Sequence, residues 1–291
     1  MDVLKDLERI LIEQEEKGRA LSRFIALVWI VSIAVDFIAY SMAMNASEYG
    51  LRGQARSYLL AYTDILLVYS LGFLASFILS LLIFYSIAKY SRRDILYFLG
   101  GFFFLISGFF DLVAMYYTFQ SRSKIQEVAV KLPLLSVDSL FKFINDELYY
   151  LVNRVNTLTM GSMVTVGGAF VFFGLSAIKF SRILGAQRPL ILSSIVQTLE
   201  TGKEMREGYV QYAVSLYSRE LDSAVNNIRM AGILYLIVGV AEILAFLEIV
   251  QSILFVIFLI FILGLFLEGS GYKKLRRIIE TWKSMQTRST S

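Results

Sequence analysis

The chain of 291 residues contains no cysteine and no histidine. These absences exclude disulfides, thiolate nucleophiles, the usual zinc and haem sites, and every catalytic arrangement that uses a histidine base. Any proton chemistry must therefore use carboxylates, lysine or tyrosine. Because no pairing of a nucleophile with a base is visible either, the sequence predicts a protein that is not an enzyme, with no cofactor and no metal site.

Nucleotide-binding motifs are missing as well. The sequence has no Gly-x-x-x-x-Gly-Lys-[Ser/Thr] phosphate loop, no Gly-x-Gly-x-x-Gly dinucleotide motif and no run of voltage-sensing arginines. We therefore do not expect the chain to hydrolyse ATP by itself. If it drives transport, the energy must come from an ion gradient or from a separate ATPase.

Charged residues are scarce, at 18% of the chain against about a quarter in an average soluble domain. Apolar residues make up 57% and are gathered into runs. The last run, residues 231–267, would measure about 55 Å as one helix, so we expect a hairpin that turns near residues 248–252. With that hairpin, the sequence predicts an all-α polytopic membrane protein with six transmembrane helices. The other four spans are residues 21–44, 59–88, 95–119 and 158–178.

The distribution of positive charge predicts the orientation of these spans. With the N-terminus inside, 21 of the 28 lysine and arginine residues fall on inner segments. Cytoplasmic segments of membrane proteins carry such an excess of lysine and arginine. We therefore expect a multi-pass protein of the plasma membrane with both the N- and the C-terminus in the cytoplasm.

Three of the predicted spans share a short pattern, in which an acid is followed by two apolar residues and an alanine. The acids are Asp36, Asp111 and Glu242. The even-numbered spans end in a shared Ser-x-x-Lys-x-x-Arg pattern that begins at Ser86, Ser176 and Ser270. We interpret these patterns as an internal repeat of three in–out–in hairpins, and the alternative is chance similarity among apolar segments. The hairpins would be residues 21–94, 95–182 and 231–267.

Four acids lie within the predicted spans, namely Asp36, Asp64, Asp111 and Glu242. An acid at the centre of a membrane helix costs about 2.5–3.5 kcal/mol on insertion scales, and no lysine or arginine lies at a matching depth. One interpretation is a proton or cation site, or the polar lining of a pore. The other interpretation is a structural role. The acid then either reaches the outer membrane interface or, when protonated, donates a hydrogen bond that holds two helices together. The structural interpretation is favoured for Asp36 and Asp64, and both are open for Asp111 and Glu242.

Helices are also predicted outside the membrane, where two of them carry heptad seams. Each seam packs either on its own chain or on an oligomeric or subunit partner, and we expect both helices to continue into the adjoining spans. The outer seam consists of Val137, Phe141, Ile144, Leu148, Leu151 and Val155. The inner seam consists of Val210, Val214, Tyr217, Leu221, Ala224 and Ile228. The four segments are a cytoplasmic amphipathic helix (1–20), an outer helix with a seam (136–156), a cytoplasmic helical segment with a seam (183–230) and a basic cytoplasmic tail (268–291).

Small residues mark one face of the fourth span. Gly161, Thr165 and Gly168 recur there at helical spacing. Small residues let a neighbouring backbone approach closely, so this face is expected to pack against another helix.

Basic side chains collect on the predicted inner face. Contact with the anionic lipid bilayer accounts for them, and the alternative is contact with nucleic acid. The candidate residues of this basic face are Lys89, Arg92, Arg93, Lys179, Arg182, Lys273, Lys274, Arg276 and Arg277.

In its size, six spans, lack of cysteine and histidine, and basic inner face, the chain resembles the polytopic membrane channel component of the crenarchaeal DNA-import (Ced) system. The resemblance is one of outline and carries over no functional residue. It implies an archaeal pore or channel subunit that translocates DNA with a separate ATPase and small membrane partners. Two alternatives stay open. One is a proton- or cation-coupled carrier of small solutes that uses the membrane acids, and the other is a membrane scaffold or assembly subunit.

Overall fold

The structure is a computed structural model that describes residues 2–90, 94–131, 142–201, 207–245 and 254–289. These residues are helical almost throughout and contain no strand. A π-helical turn, Phe143–Leu148, precedes the fourth long helix. The long helices are α1 (Asp2–Leu51), α2 (Ala55–Tyr90), α3 (Ile95–Lys131), α4 (Tyr149–Thr201), α5 (Glu207–Ala245) and α6 (Leu254–Ser289).

All six helices are long and apolar enough to cross a membrane, so the predicted all-α fold with six spanning helices is confirmed. Each helix also exceeds the span that it contains. The longest, α4, has 53 residues and a length of about 80 Å, against about 30 Å for a hydrocarbon core. The predicted turn near residues 248–252 lies outside the described residues, and the hairpin arrangement and the repeat stay predictions.

Residues 183–230 are expected to form a cytoplasmic helical segment whose seam helix continues into the fifth span. In the structure α4 continues from the fourth span to Thr201, and α5 begins at Glu207 and continues through the fifth span. Pro189 lies inside α4, where it cannot donate a hydrogen bond to the carbonyl of Gly185. Both residues are exposed, and α4 continues through this position to Thr201.

The chain divides into two compact units. The first unit comprises Arg23–Tyr85 and Gly101–Val166. Within it, Ala39 and Ala46 of α1 pack with Ile65 of α2. Small residues also bring its other helices together, since a Cβ added to Gly108 of α3 would lie 2.7 Å from the Cβ of Ser80 on α2.

The second unit comprises Met1–Ser22, Ser86–Gly100 and Gly167–Ser291. Its apolar core is built from four helical segments. The N-terminal part of α1, predicted as a separate amphipathic helix, is continuous with α1 and buries its apolar face in this core. The inner seam of α5 packs there too, against its own chain. Core residues include Leu4, Leu7 and Leu11 of α1, Leu184 and Ile191 of α4, Leu221 and Ile228 of α5, and Leu275 and Trp282 of α6.

The outer seam lies only partly within the described residues. Val137 and Phe141 lie outside the described residues. Leu151, one of the later seam positions, is buried in the first unit. Ile144 and Leu148 lie in the π-helical turn, and the later seam positions lie at the beginning of α4, which runs into the fourth span without a break.

Glycines join α4 to α5 in a close backbone contact in the second unit. A Cβ added to Gly167 would lie 2.6 Å from the carbonyl oxygen of Gly239, and one added to Gly174 would lie 2.6 Å from that of Gly232. The reverse contacts are equally short, at 2.6 Å from Gly239 and 2.7 Å from Gly232. Because the obstructing atoms belong to the backbone, no side chain can rotate away to make room. The two helices therefore touch along their backbones at two levels.

Substitution of Gly174 tests this contact. We expect Gly174→Ala to destabilise the protein by about 1–3 kcal/mol, because the added methyl group forces α4 and α5 apart. The measurement is thermal unfolding in detergent, followed by the fluorescence of the two tryptophans. Gly185→Ala on the same helix is the matched control, since a Cβ there meets nothing within 4 Å. Equal unfolding temperatures for the two variants would contradict the contact.

Candidate functional site

The best-defined polar site in the first unit surrounds Asp111 of α3. This side chain is 5% exposed. Ser76 of α2 donates a hydrogen bond to its Oδ2 atom over 2.5 Å. The hydroxyl of Ser162 on α4 also faces the carboxyl, and it lies 2.8 Å from the hydroxyl of Ser107. Two neighbouring helices, α2 and α4, therefore each present a hydroxyl group to one buried carboxyl, and Ser107 of α3 contacts one of these hydroxyls.

Close packing of α2, α3 and α4 positions these groups. Gly108 lies one turn before Asp111 and packs directly on Ser80, so α2 approaches α3 at this level. Gly161 of α4, predicted from its spacing to be a packing residue, contacts the ring of Phe110, which lies 3.3 Å from a Cβ placed there. The glycines thus bring Ser76 and Ser162 within reach of the carboxylate.

Chemically, this site is a set of oxygen ligands that carries one negative charge. Carboxylate and hydroxyl oxygens suit a hard cation. No group of three or more acidic side chains suited to a metal ion occurs in the described residues. The arrangement therefore fits a singly charged cation or a proton better than a divalent metal.

The other three membrane acids have different surroundings. Glu242 of α5 is 5% exposed and belongs to the second unit. Asp36 of α1 and Asp64 of α2 are exposed in the first unit. The structure thus gives the three acids of the proposed repeat unlike environments. Among the described residues Asp111 meets hydroxyls from two other helices, whereas Asp36 interacts electrostatically with Tyr69 of α2.

A second polar cluster was not predicted from the sequence, and Lys17 of α1 lies at its centre. Lys17 is 2% exposed, and its Nζ atom lies 3.9 Å from Oδ2 of Asp94. Asp94 also accepts hydrogen bonds from the hydroxyl of Ser176 and from the backbone amide of Tyr97, as an N-cap of α3 does. The Tyr97 hydroxyl donates to the Lys17 carbonyl oxygen over 3.0 Å, and its ring lies 5.3 Å from Nζ.

Glu268 of α6 forms the third buried polar group, again in the second unit. Its Oε2 atom accepts a hydrogen bond from Tyr235 of α5, and its Oε1 atom accepts one from Tyr272, both over 2.7 Å. Uncharged donors therefore satisfy both carboxylate oxygens. The sequence signal was weak, because Glu268 falls at the border between the last apolar run and the basic tail.

Some residues of the predicted basic face form ion pairs or hydrogen bonds with other residues of the chain. Arg92 and Arg93 lie outside the described residues. Arg276 pairs with Glu15, Arg277 pairs with Glu220 over 3.8 Å, and Lys274 donates to Ser223 over 2.5 Å. The exposed members of the face are Lys89, Lys179, Arg182, Lys273, Arg276 and Arg277.

Comparison with sequence-family profiles, with curated proteins and with solved structures gives no match to this chain. The site must therefore be interpreted from its own geometry and chemistry.

The Lys17–Asp94 pair yields a stability prediction. Removing one partner of a buried ion pair strands the other charge, so we expect Lys17→Met to destabilise the protein by about 3–5 kcal/mol. Adding Asp94→Asn should recover much of that loss, because the stranded carboxylate is then gone. Thermal unfolding of both variants in detergent measures the effect.

Lys124→Met is the control for this prediction. Lys124 pairs with Glu147 over the shorter distance of 3.0 Å, but both side chains are about half exposed. We expect this variant to unfold at the temperature of the native protein, since exposed pairs contribute little. If the double variant were no more stable than Lys17→Met alone, the pair would not be the source of the loss.

Proposed function

We propose that this multi-pass membrane protein is a carrier coupled to a monovalent cation, Na⁺, which exchanges with a proton at Asp111. The observation that supports the proposal is the set of hydroxyl oxygens around this carboxylate. An ionisable side chain inside a membrane helix is costly and is a functional candidate by default. Coupling ions of carriers bind inside the helix bundle, which is where Asp111 is buried.

The hydroxyls favour a cation over a proton alone. A proton on Asp111 needs a single oxygen, whereas Na⁺ must regain several of the oxygen contacts that it loses with its water shell. Ser76 and Ser162 offer such oxygens next to the carboxylate, and a hydroxyl can rotate between donating to Asp111 and coordinating a cation through its lone pairs. The same oxygens therefore serve the empty and the occupied site.

Carbodiimide labelling tests the proposal. Dicyclohexylcarbodiimide modifies protonated carboxyl groups in apolar surroundings, and mass spectrometry locates the modified residue. We expect label on Asp111 in the purified protein and a loss of that label as Na⁺ is added, because a bound cation displaces the proton. Choline chloride at equal ionic strength should leave the labelling unchanged.

Two variants sharpen this experiment. Ser162→Ala should keep the label but require several-fold more Na⁺ to suppress it, since one oxygen ligand is lost. Asp64→Asn removes an exposed acid from α2 and should change nothing. Label on Asp111 that Na⁺ cannot suppress would identify a protonated structural acid and would rule out cation coupling at this site.

A pore or channel subunit is the second candidate, and the exposure of Asp36 favours it. Asp36 lies on a face of α1 where Ile33, Phe37 and Tyr40 are 53%, 72% and 67% exposed. A carboxylate on a lipid-facing surface is costly, so another subunit or a water-filled channel would relieve it. This candidate includes two further proposals, a separate ATPase and DNA as the translocated substrate. It also includes cytoplasmic termini, which the excess of lysine and arginine on the inner segments supports.

Cysteine cross-linking tests the second candidate, because the native chain has no cysteine. Phe37→Cys keeps Asp36 and should form a disulfide-linked dimer in oxidised membranes if two copies meet along this face. Ala39→Cys, buried on the same helix, should not cross-link. A Phe37→Cys variant that reacts with maleimide but stays monomeric would contradict a pore built from copies that meet on this face.

A further inference from the structure

A cleft of about 300 Å³ lies between α1 and α6 in the second unit. Gly18, Arg19 and Ser22 line its α1 side, and Gly269 and Lys273 line its α6 side. A Cβ added to Gly269 would meet nothing within 4 Å, so this wall of the cleft is open. The cleft is independent of the Asp111 site.

The charges of the cleft favour an anion. Three cations line it, namely Arg19, Lys273 and Arg276, against the two acids Glu15 and Glu268. Glu15 is ion-paired with both Arg19 and Arg276, Arg19 also pairs with Glu16, and Glu268 accepts hydrogen bonds from the two tyrosines. Among the described residues Lys273 has no ion-pair partner, so its charge is available to a ligand.

The position of the cleft along α6 favours a lipid as the source of that anion. Leu265, at one end, belongs to the last apolar run, and Lys273 follows about 12 Å further along the helix. That rise covers the step from the hydrocarbon core to the headgroup layer, which is about 5–8 Å thick on each side. Leu263 and Phe266, on the same part of α6, are 50% and 71% exposed and offer apolar surface to an acyl chain.

We propose that the cleft between α1 and α6 binds the phosphate group of an anionic phospholipid, with Lys273 as its main cationic contact. Basic pockets between membrane helices at the cytoplasmic surface recognise phosphate headgroups in this manner. The acyl chains would follow the apolar surface of α6, which separates this ligand from free phosphate in solution.

Titration with phosphatidylglycerol in detergent micelles tests the proposal, with the rise in unfolding temperature as the readout. We expect Lys273→Gln to raise the lipid concentration needed for half of the rise about fivefold, because one cationic contact is lost. Lys273→Arg should restore the native response. Since Lys273 makes no ion pair among the described residues, Lys273→Gln should unfold at the native temperature when no lipid is added.

Three comparisons decide the outcome. Lys179→Gln removes an exposed positive charge from α4, outside the cleft, and should bind the lipid as the native protein does. An equal loss in Lys179→Gln would show general charge attraction and overturn the proposal. Phosphatidylcholine should give a smaller rise. Inorganic phosphate that raised the unfolding temperature as much as phosphatidylglycerol would assign the cleft to a soluble anion instead.

Discussion

The backbone contact between α4 and α5 is the constraint on which the second unit depends. Gly167 and Gly174 meet Gly239 and Gly232 at two levels, which fixes the rotation and the register of both helices. Tyr235 lies between the two α5 glycines, and this register directs its hydroxyl to Glu268 of α6. The inner seam of α5 follows on the same helix, so the glycine contact also decides which side chains enter the apolar core.

Buried ionisable side chains have two kinds of partner in this protein, an opposite charge or uncharged hydroxyl groups. Lys17 and Asp94 form an ion pair, which commits both charges to each other. Among the described residues Asp111 and Glu268 receive hydrogen bonds from uncharged hydroxyl donors, which do not neutralise a carboxylate. A carboxylate in that condition can still accept a proton or a cation. The ion pair is therefore a structural feature, whereas the hydroxyl-bound acids can still exchange a proton or a cation.

The sequence predicted the six helices because length and hydropathy are local properties, as the run at residues 95–119 shows within α3. It did not predict partners between distant helices. Ser176 bonds to Asp94 across 82 positions, and nothing in either neighbourhood marks the pairing. Glycine spacing was also insufficient, since Gly161 and Gly168 show the same seven-residue interval as Gly167 and Gly174, and only the facing helix distinguishes the two sets.

The carrier and the pore candidates depend on different acids, Asp111 and Asp36, whose surroundings differ. Among the described residues the hydroxyls that face Asp111, those of Ser76 on α2 and Ser162 on α4, belong to the same chain as the carboxyl. A carrier can work with such a site as a single copy. Asp36, in contrast, lies on an exposed apolar face, and a membrane protein that leaves a carboxylate there needs an interface, a partner or water to relieve its cost. Asp111 and Asp36 lie in the same unit. A carrier that binds a cation at Asp111 and covers Asp36 by assembling through α1 would therefore combine the two candidate functions.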